Sequence, residues 1–251
     1  MRIALMSAMM EEIAMLIPEL GPDVKTVIRG QRSYYLGTLA GHDVVVVFSR
    51  WGKVAASATV TNLITEFNVN AVLFSGVAGG LSPDLKVGDI VVGDTFLQYD
   101  LDARPIVPQF EAPLLGVARF PANPELTRLL EAAAGAFASK NIKTIVGAEI
   151  ASRFQLHTPS VHRGLIISGD RFIGSQAEAQ KLRDLVSEAL CVEMEGAAVA
   201  QVCYEYGIPC GVLRVISDSA DDNAPVDFLA FVNEVARHYA HGVILSVLRK
   251  L

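Results

Sequence analysis

Ala71-Val72-Leu73-Phe74-Ser75, running on into Gly76-Val77-Ala78-Gly79-Gly80, is the stretch whose reading decides the fold. Its first half is apolar without alternation, which predicts a strand buried on both faces, and the glycines predict a tight turn directly after it. Similar apolar runs lie on either side, at Arg2–Ser7 (RIALMS), Asp43–Ser49 (DVVVVFS), Asp89–Phe96, Arg163–Ser168 and Cys210–Val215. Tyr34–Leu39 pairs with Asp43–Ser49 as a hairpin around Gly41-His42, and a further strand is expected within Ile142–Ile150. Between these runs, apolar residues recur at helical spacing over Met9–Leu16, Lys53–Phe67, Glu125–Lys140, Gln176–Ser187, Met194–Tyr206 and Phe228–Leu248. Asp100–Pro124 holds five of the chain's eleven prolines and no clear period, so it reads as an ordered loop or lid. Strand and helix alternate with no linker or repeat. The pattern is that of one α/β domain over residues 1–251 with a central mixed sheet.

Composition excludes several classes. The 251 residues carry 21 Lys+Arg against 27 Asp+Glu, a net charge of −6, whereas a binder of nucleic-acid phosphates needs a basic face. No uninterrupted apolar run approaches the ~20 residues that span a bilayer, so no membrane partner is expected. Met1–Glu12 lacks the basic leader and cleavage site of a secretory signal. Cys191, Cys203 and Cys210 are odd in number and have no Cys-x-x-Cys spacing, which fits reduced thiols in a cytoplasm. With 51% hydrophobic and only 19% charged residues, some surface is expected to be buried against another subunit.

Four clusters can carry chemistry. The glycine turn at Gly76–Gly80 lets backbone N–H groups approach a ligand, yet it is neither a Gly-Lys-Ser/Thr phosphate loop nor a dinucleotide fingerprint. In Val192-Glu193-Met194-Glu195-Gly196, two carboxylates sit in an apolar run at a strand-to-helix junction, where burial demands a partner or a ligand hydroxyl. Arg214, inside the apolar strand Leu213–Ile216, needs a carboxylate, for which Glu195 or Glu12 are the natural candidates. The same strand ends in Ser217-Asp218, with Asp221 and Asp222 beyond, and a strand's carboxyl end is a usual ligand position. The fourth cluster is Met9-Met10-Glu11-Glu12 after the first strand. His238 and His241 lie three apart on the last helix without an acidic or cysteine companion, so they read as a solvated face and no metal site is expected.

In register along almost the whole chain, these motifs resemble those of the methylthioadenosine/S-adenosylhomocysteine nucleosidases, within the purine nucleoside phosphorylase superfamily. Ser7-Ala8-Met9-Met10-Glu11-Glu12, Trp51-Gly52-Lys53-Val54-Ala55-Ala56, Ser75-Gly76-Val77-Ala78-Gly79-Gly80, Leu85-Lys86-Val87-Gly88-Asp89, Ser168-Gly169-Asp170-Arg171-Phe172, Val192-Glu193-Met194-Glu195-Gly196 and Arg214-Val215-Ile216-Ser217-Asp218 carry it. The resemblance implies a three-layer α/β/α fold, a homodimer, and hydrolysis of the N-glycosidic bond of adenosine-derived thioether nucleosides, as in methionine salvage. It implies no metal or organic cofactor.

By the same resemblance, Glu12 would be the base that activates water, and Asp218, placed by Ser217, would protonate adenine N7. Glu195 would hold the ribose hydroxyls, Met194 would lie along the ribose, and Arg214 would orient the acids. Phe172 would stack on adenine and the Ile173 backbone would read its edge, with Val77, Ala78, Gly79 and Glu193 completing the nucleoside site. Met9, Trp51 and Phe228 would surround the 5′ group, while Ala103 and Ile106 would reach in from a second subunit. The chemistry requires this division. Glycosidic cleavage develops positive charge on the sugar, the base leaves more readily when protonated, and water must lose a proton on the opposite face. Three features depart from the family pattern: Arg50-Trp51 where Gly-Ile is usual, the Ala103–Phe110 loop, and Val77 where serine is common. Phosphorolysis would need cations near the glycine turn, where Phe74 and Val77 stand instead. Aminodeoxyfutalosine and 5′-deoxyadenosine remain open as substrates of the same chemistry, and a non-catalytic nucleoside binder would have no need of both Glu12 and Asp218.

Overall fold

Valines 44–47 are wholly buried, although they alternate between two faces of one strand. That is possible only if both faces of the sheet are covered. The computed structural model describes residues 1–218 and 224–251, apart from the side chains of residues 224–227. Asp221 and Asp222 therefore lie outside the described residues. The strands are β1 (Arg2–Ser7), β2 (Lys25–Arg29), β3 (Arg32–Leu39), β4 (His42–Phe48), β5 (Ala71–Gly80), β6 (Ile90–Gln98), β7 (Arg119–Pro121), β8 (Val161–Ser168), β9 (Ala189–Glu193) and β10 (Cys210–Asp218). The α-helices are α1 (Met10–Ile13), α2 (Lys53–Thr65), α3 (Pro124–Ala138), α4 (Ile142–Val146), α5 (Ala148–Arg153), α6 (Gln176–Leu185), α7 (Gly196–Tyr206), α8 (Ala224–Phe231) and α9 (Arg237–Leu248).

All the strands belong to one mixed sheet. Its first half continues from β5 through β1, β4 and β3 to the edge strand β2. In its second half β5 pairs with both β10 and β9, so β5, β10, β6, β8 and β9 close into a ring. Alternate residues of β1 and β4 enter two separate cores. Ile3, Leu5, Val44 and Val46 pack with α3 and α9 on one face, and Ala4, Met6, Val45 and Val47 pack with α2 and α7 on the other. This is the three-layer α/β/α arrangement expected from the sequence. Among the described residues, no helix is long and apolar enough to cross a membrane. The three cysteines are buried and free of disulfides.

The structure corrects several sequence expectations. Ile142–Ile150 is not a strand but the pair α4 and α5. The Asn141 side chain accepts a hydrogen bond from the Lys143 N–H, the buried Ile142 and Val146 share a face four residues apart, and Gly147 at φ +95° separates the two helices. The glycine turn at residues 76–80 is not a turn; β5 runs to Gly80, because glycine's small volume is used there for close approach. Helix formation after β1 is confined to Met10–Ile13, and a short 3-10 turn at Ile17–Glu19 follows, with Pro18 in it. The last helix is interrupted by a π-helical segment, Val232–Ala236, between α8 and α9. His241 does not lie on a purely solvated face, since its Nε2 meets Glu19 Oε1 at 2.5 Å. Strands β2 and β7 carry too little apolar sequence of their own to be read from it.

Candidate active site

The site lies where the carboxyl-terminal half of β5 meets the end of β9, running the opposite way, beside the ends of β1 and β10. Residues from these strands and from the segments following β1, β4 and β8 wall a cavity that opens to solvent.

Arg214 anchors it. Midway along β10 and 1% exposed, it donates from Nη2 to Glu193 Oε2 at 2.7 Å, and its guanidinium carbon sits 4.1 Å from the centre of the Phe74 ring. Its hydrogen-bonded partner is thus Glu193, not Glu195 or Glu12: Glu193 is the last residue of β9, while Glu195 falls past the strand's end. Burial works against the Arg214 charge, but Glu193 foremost, with Glu195 and Glu12, raises its pKa above the ordinary arginine value. The Glu193 carboxylate also accepts from the Ser168 hydroxyl and from the backbone N–H groups of Glu195 and Gly196 (3.0 and 2.8 Å to Oε2). These bonds define the start of α7, where glutamate favours the exposed N–H groups of a helix end.

Glu12 is 2% exposed, on α1 directly after β1. Its Oε2 accepts from the N–H groups of Met9 (2.9 Å) and Ala8 (3.1 Å), and its Oε1 from Val77 (3.2 Å). Burial pushes its carboxyl up to about 7, while the Met9 N–H, the Arg214 charge and the other two N–H groups restrain it. A base poised there is half ionised near neutrality and strong enough to take a proton from water. Gly76 makes this approach possible. A Cβ at that position would stand 3.0 Å from Glu12 Oε1 and 3.3 Å from an Arg214 nitrogen. Gly76→Ala is therefore expected to displace both side chains, costing about 1–3 kcal/mol of stability and roughly a hundredfold in turnover. Wild-type turnover in the purified variant would show that the close approach has no such role.

Glu195 is the residue before α7 and is 5% exposed. Its Oε1 accepts the Gly52 N–H at 2.7 Å, and Gly52 reaches that geometry at φ +92°, a conformation comfortable for glycine. Burial, then the neighbouring Glu193 charge, raises the Glu195 pKa. At the other wall, Asp218 ends β10. A register irregularity after Ile216 separates the Ile216–Ala78 and Asp218–Gly79 pairings, leaving Ser217 between them. The Ser217 hydroxyl donates to Asp218 Oδ2 at 2.7 Å, so the two side chains move as a unit.

Apolar residues complete the cavity. Met9, Met194 and Ile173 line it, and Trp51, Phe228 and Phe172 form an edge-to-face series with centroid distances of 6.2 and 5.6 Å. Trp51 and Phe172 are 54% and 44% exposed, so this aromatic wall is the cavity's outer rim. Val77, Ala78 and Gly79 supply the β5 wall. Ala103 and Ile106 are not part of this cavity, and Ile106 is 87% exposed. Ala8, Gly76, Arg171 and Val192 line it without having been assigned a role from sequence. Gly76 was visible in the sequence only as one of the glycines after the buried run, and Ala8 and Val192 carry no signal beyond position.

Residues 2–249 match the family model of the phosphorylase superfamily. The chain belongs to that superfamily. Its phosphorylase-superfamily relatives include an aminodeoxyfutalosine nucleosidase from Helicobacter pylori, 37% identical over 94% of this chain and 93% of that protein. A 5′-methylthioadenosine/S-adenosylhomocysteine nucleosidase from a Shewanella species is 37% identical over 98% of this chain and 97% of its own length. Among solved superfamily structures, the nucleosidase of the latter kind from Neisseria meningitidis, in complex with methylthio-immucillin-A, superposes with a TM-score of 0.86. It is 33% identical and covers 100% of this chain and 99% of the other.

Proposed function

We propose that this chain, as a single domain over residues 1–251, hydrolyses the N-glycosidic bond of 5′-methylthioadenosine and S-adenosylhomocysteine, releasing adenine and the 5′-substituted ribose. 5′-Deoxyadenosine falls within the same chemistry. The observation that carries the reading is one buried carboxyl poised near neutrality, Glu12, and a second carboxyl, Asp218, on the same cavity beside a hydroxyl donor. Asp218 gives its proton to adenine N7 as the bond to C1′ breaks, so the base leaves neutral. Glu12 takes a proton from the water that attacks C1′, and Glu195 holds the ribose hydroxyls as charge develops on the sugar. Met194 lies along the ribose, Phe172 stacks on the base, the Ile173 backbone reads its edge, and Val77, Ala78 and Gly79 close the nucleoside site. Met9, Trp51 and Phe228 surround the 5′ group. Arg214 and Glu193 position the acids.

Water rather than phosphate is the nucleophile. Arg214 is sealed against Glu193, Arg171 is paired with Glu178, and Phe74 is 1% exposed beneath the guanidinium of Arg214. The Helicobacter pylori relative named for aminodeoxyfutalosine supports a second substrate for the same reaction, differing only at the 5′ end. We further propose a cytoplasmic homodimer in which Ala103 and Ile106 complete the partner's 5′ pocket. The exposure of Ile106 and Leu114 on the proline-rich segment supports this reading.

Adenine release from 5′-methylthioadenosine, followed without phosphate, is the direct test. Because the base acts ionised, kcat/KM is expected to rise with pH through about 7, following Glu12. Release that requires phosphate and yields a sugar 1-phosphate would overturn the hydrolytic reading.

A further inference from the structure

A second cleft opens directly beside the catalytic cavity. The two share Ala8, Met9 and Trp51, and the outer one is also walled by Glu11 and Arg50. Arg50 is exposed and directly precedes the tryptophan of the aromatic rim. One guanidinium nitrogen donates to the Gln31 carbonyl at 2.8 Å, and among the described residues the side chain forms no ion pair. This sets it apart from Arg214 and Arg171, each of which has its own glutamate.

The backbone adds an independent observation. Arg50 sits at φ +75°, in the left-handed region that favours glycine. Its N–H is held by the Ala8 carbonyl at 3.0 Å, and its own carbonyl accepts the Ser49 hydroxyl at 2.7 Å. The conformation is thus imposed by the surrounding chain, and a side chain is carried there against a local preference for none. Strain of this kind at the mouth of a ligand cavity points to a use for the side chain.

We propose that Arg50 is a specificity-determining residue that binds a carboxylate at the far end of the nucleoside's 5′ substituent. The proposal rests on the nucleosidase reading above and extends it outward from the 5′ pocket. A 5′ thioether leaving the catalytic cavity passes the apolar walls of Met9 and Trp51 before it reaches the outer cleft. A methylthio group ends at those walls. A longer substituent ending in an anion meets a guanidinium whose planar fork suits a carboxylate and which has donors uncommitted. Two sources share this chemistry. An α-amino-acid thioether would also place its ammonium near Glu11, whereas an aryl carboxylate would lay its ring against Trp51.

The test compares wild type with Arg50→Gly, a replacement that the positive φ accepts without strain, so the variant is expected to melt no lower than wild type. Four probes are used: 5′-methylthioadenosine, 5′-butylthioadenosine, S-adenosylhomocysteine, and an adenosine bearing a 5′-linked aryl carboxylate. Wild type is expected to favour at least one carboxylate probe over butylthioadenosine in kcat/KM. Arg50→Gly is expected to reduce that ratio about tenfold, mainly through KM, and Arg50→Lys to restore part of it. High salt should erode the wild-type ratio, because the contact is exposed. Whichever carboxylate probe loses most identifies the source, and Glu11→Gln should weaken only the amino-acid thioether. An unchanged ratio in Arg50→Gly, with adenine still released from all probes, overturns the role of Arg50 and leaves the nucleosidase reading standing. Failure of every probe to release adenine overturns that reading itself, and the ratio of dissociation constants for the same probes then decides Arg50 separately.

Discussion

Asp218→Asn is expected to lower kcat by about 10²–10⁴-fold while the substrate still binds, the range that one positioned general acid contributes. The substitution nearly preserves size and leaves an oxygen to accept the Ser217 hydroxyl, which now donates to Oδ2 at 2.7 Å. On the proposed mechanism it removes the proton that the departing adenine requires. The loss should therefore fall on the chemical step and not on affinity. Single-turnover adenine release, set beside a binding titration with 5′-methylthioadenosine, separates the two. A variant keeping more than a tenth of wild-type turnover would place the acid elsewhere.

Arg214→Met is expected to have the largest effect on stability, about 3–5 kcal/mol, because it leaves Glu193 buried without its cation. The pair is 1% and 3% exposed at the side chains, so water cannot replace the lost partner. In a chain of this size the loss corresponds to a fall in melting temperature of roughly 10 °C. Glu193→Gln added to Arg214→Met should recover part of it, since the double variant no longer buries an unpaired charge. Denaturant midpoints of the two single variants and the double variant give the coupling, and strict additivity would mean that the pair does not act as a unit. A second consequence concerns pH. The Arg214 charge lowers the Glu12 pKa, so its removal should move the rise in kcat/KM to higher pH, measured at a temperature where the variant remains folded.

The residues of the site were legible where burial made them conspicuous. A charged side chain within an apolar strand or junction, such as Arg214 or Glu195, must have a partner or a ligand, and that requirement can be read without coordinates. Between Glu11 and Glu12 the residues alone did not choose; the family resemblance singled out Glu12. Which carboxylate meets which cation could not be read. Glu193 and Glu195 are two residues apart, and their separate tasks depend on β9 ending at the first and α7 beginning after the second. The error at Ile142–Ile150 has a similar origin. Isoleucine, threonine and valine favour strands on average, but the Asn141 cap and burial of one helical face outweigh that preference. Strand β2 escaped notice because it is a largely exposed edge with little apolar sequence.

The sequence by itself determined the class of fold and the chemical inventory. Alternating apolar strands and amphipathic helices leave a layered α/β sheet as the means of burying both sets of faces, and seven motifs in register name the family the chain resembles. Only the tertiary structure decided how the inventory is arranged. Closure of the ring through β5, β10 and β9 brings residues 76, 193 and 214 together, and β1, paired with β5, adds residue 12. The glycines of β5 serve as part of a strand rather than as a turn, because two polar side chains need the volume a Cβ would fill. The pKa of Glu12 is likewise a tertiary property, since desolvation and the Arg214 field come from segments up to two hundred residues away along the chain.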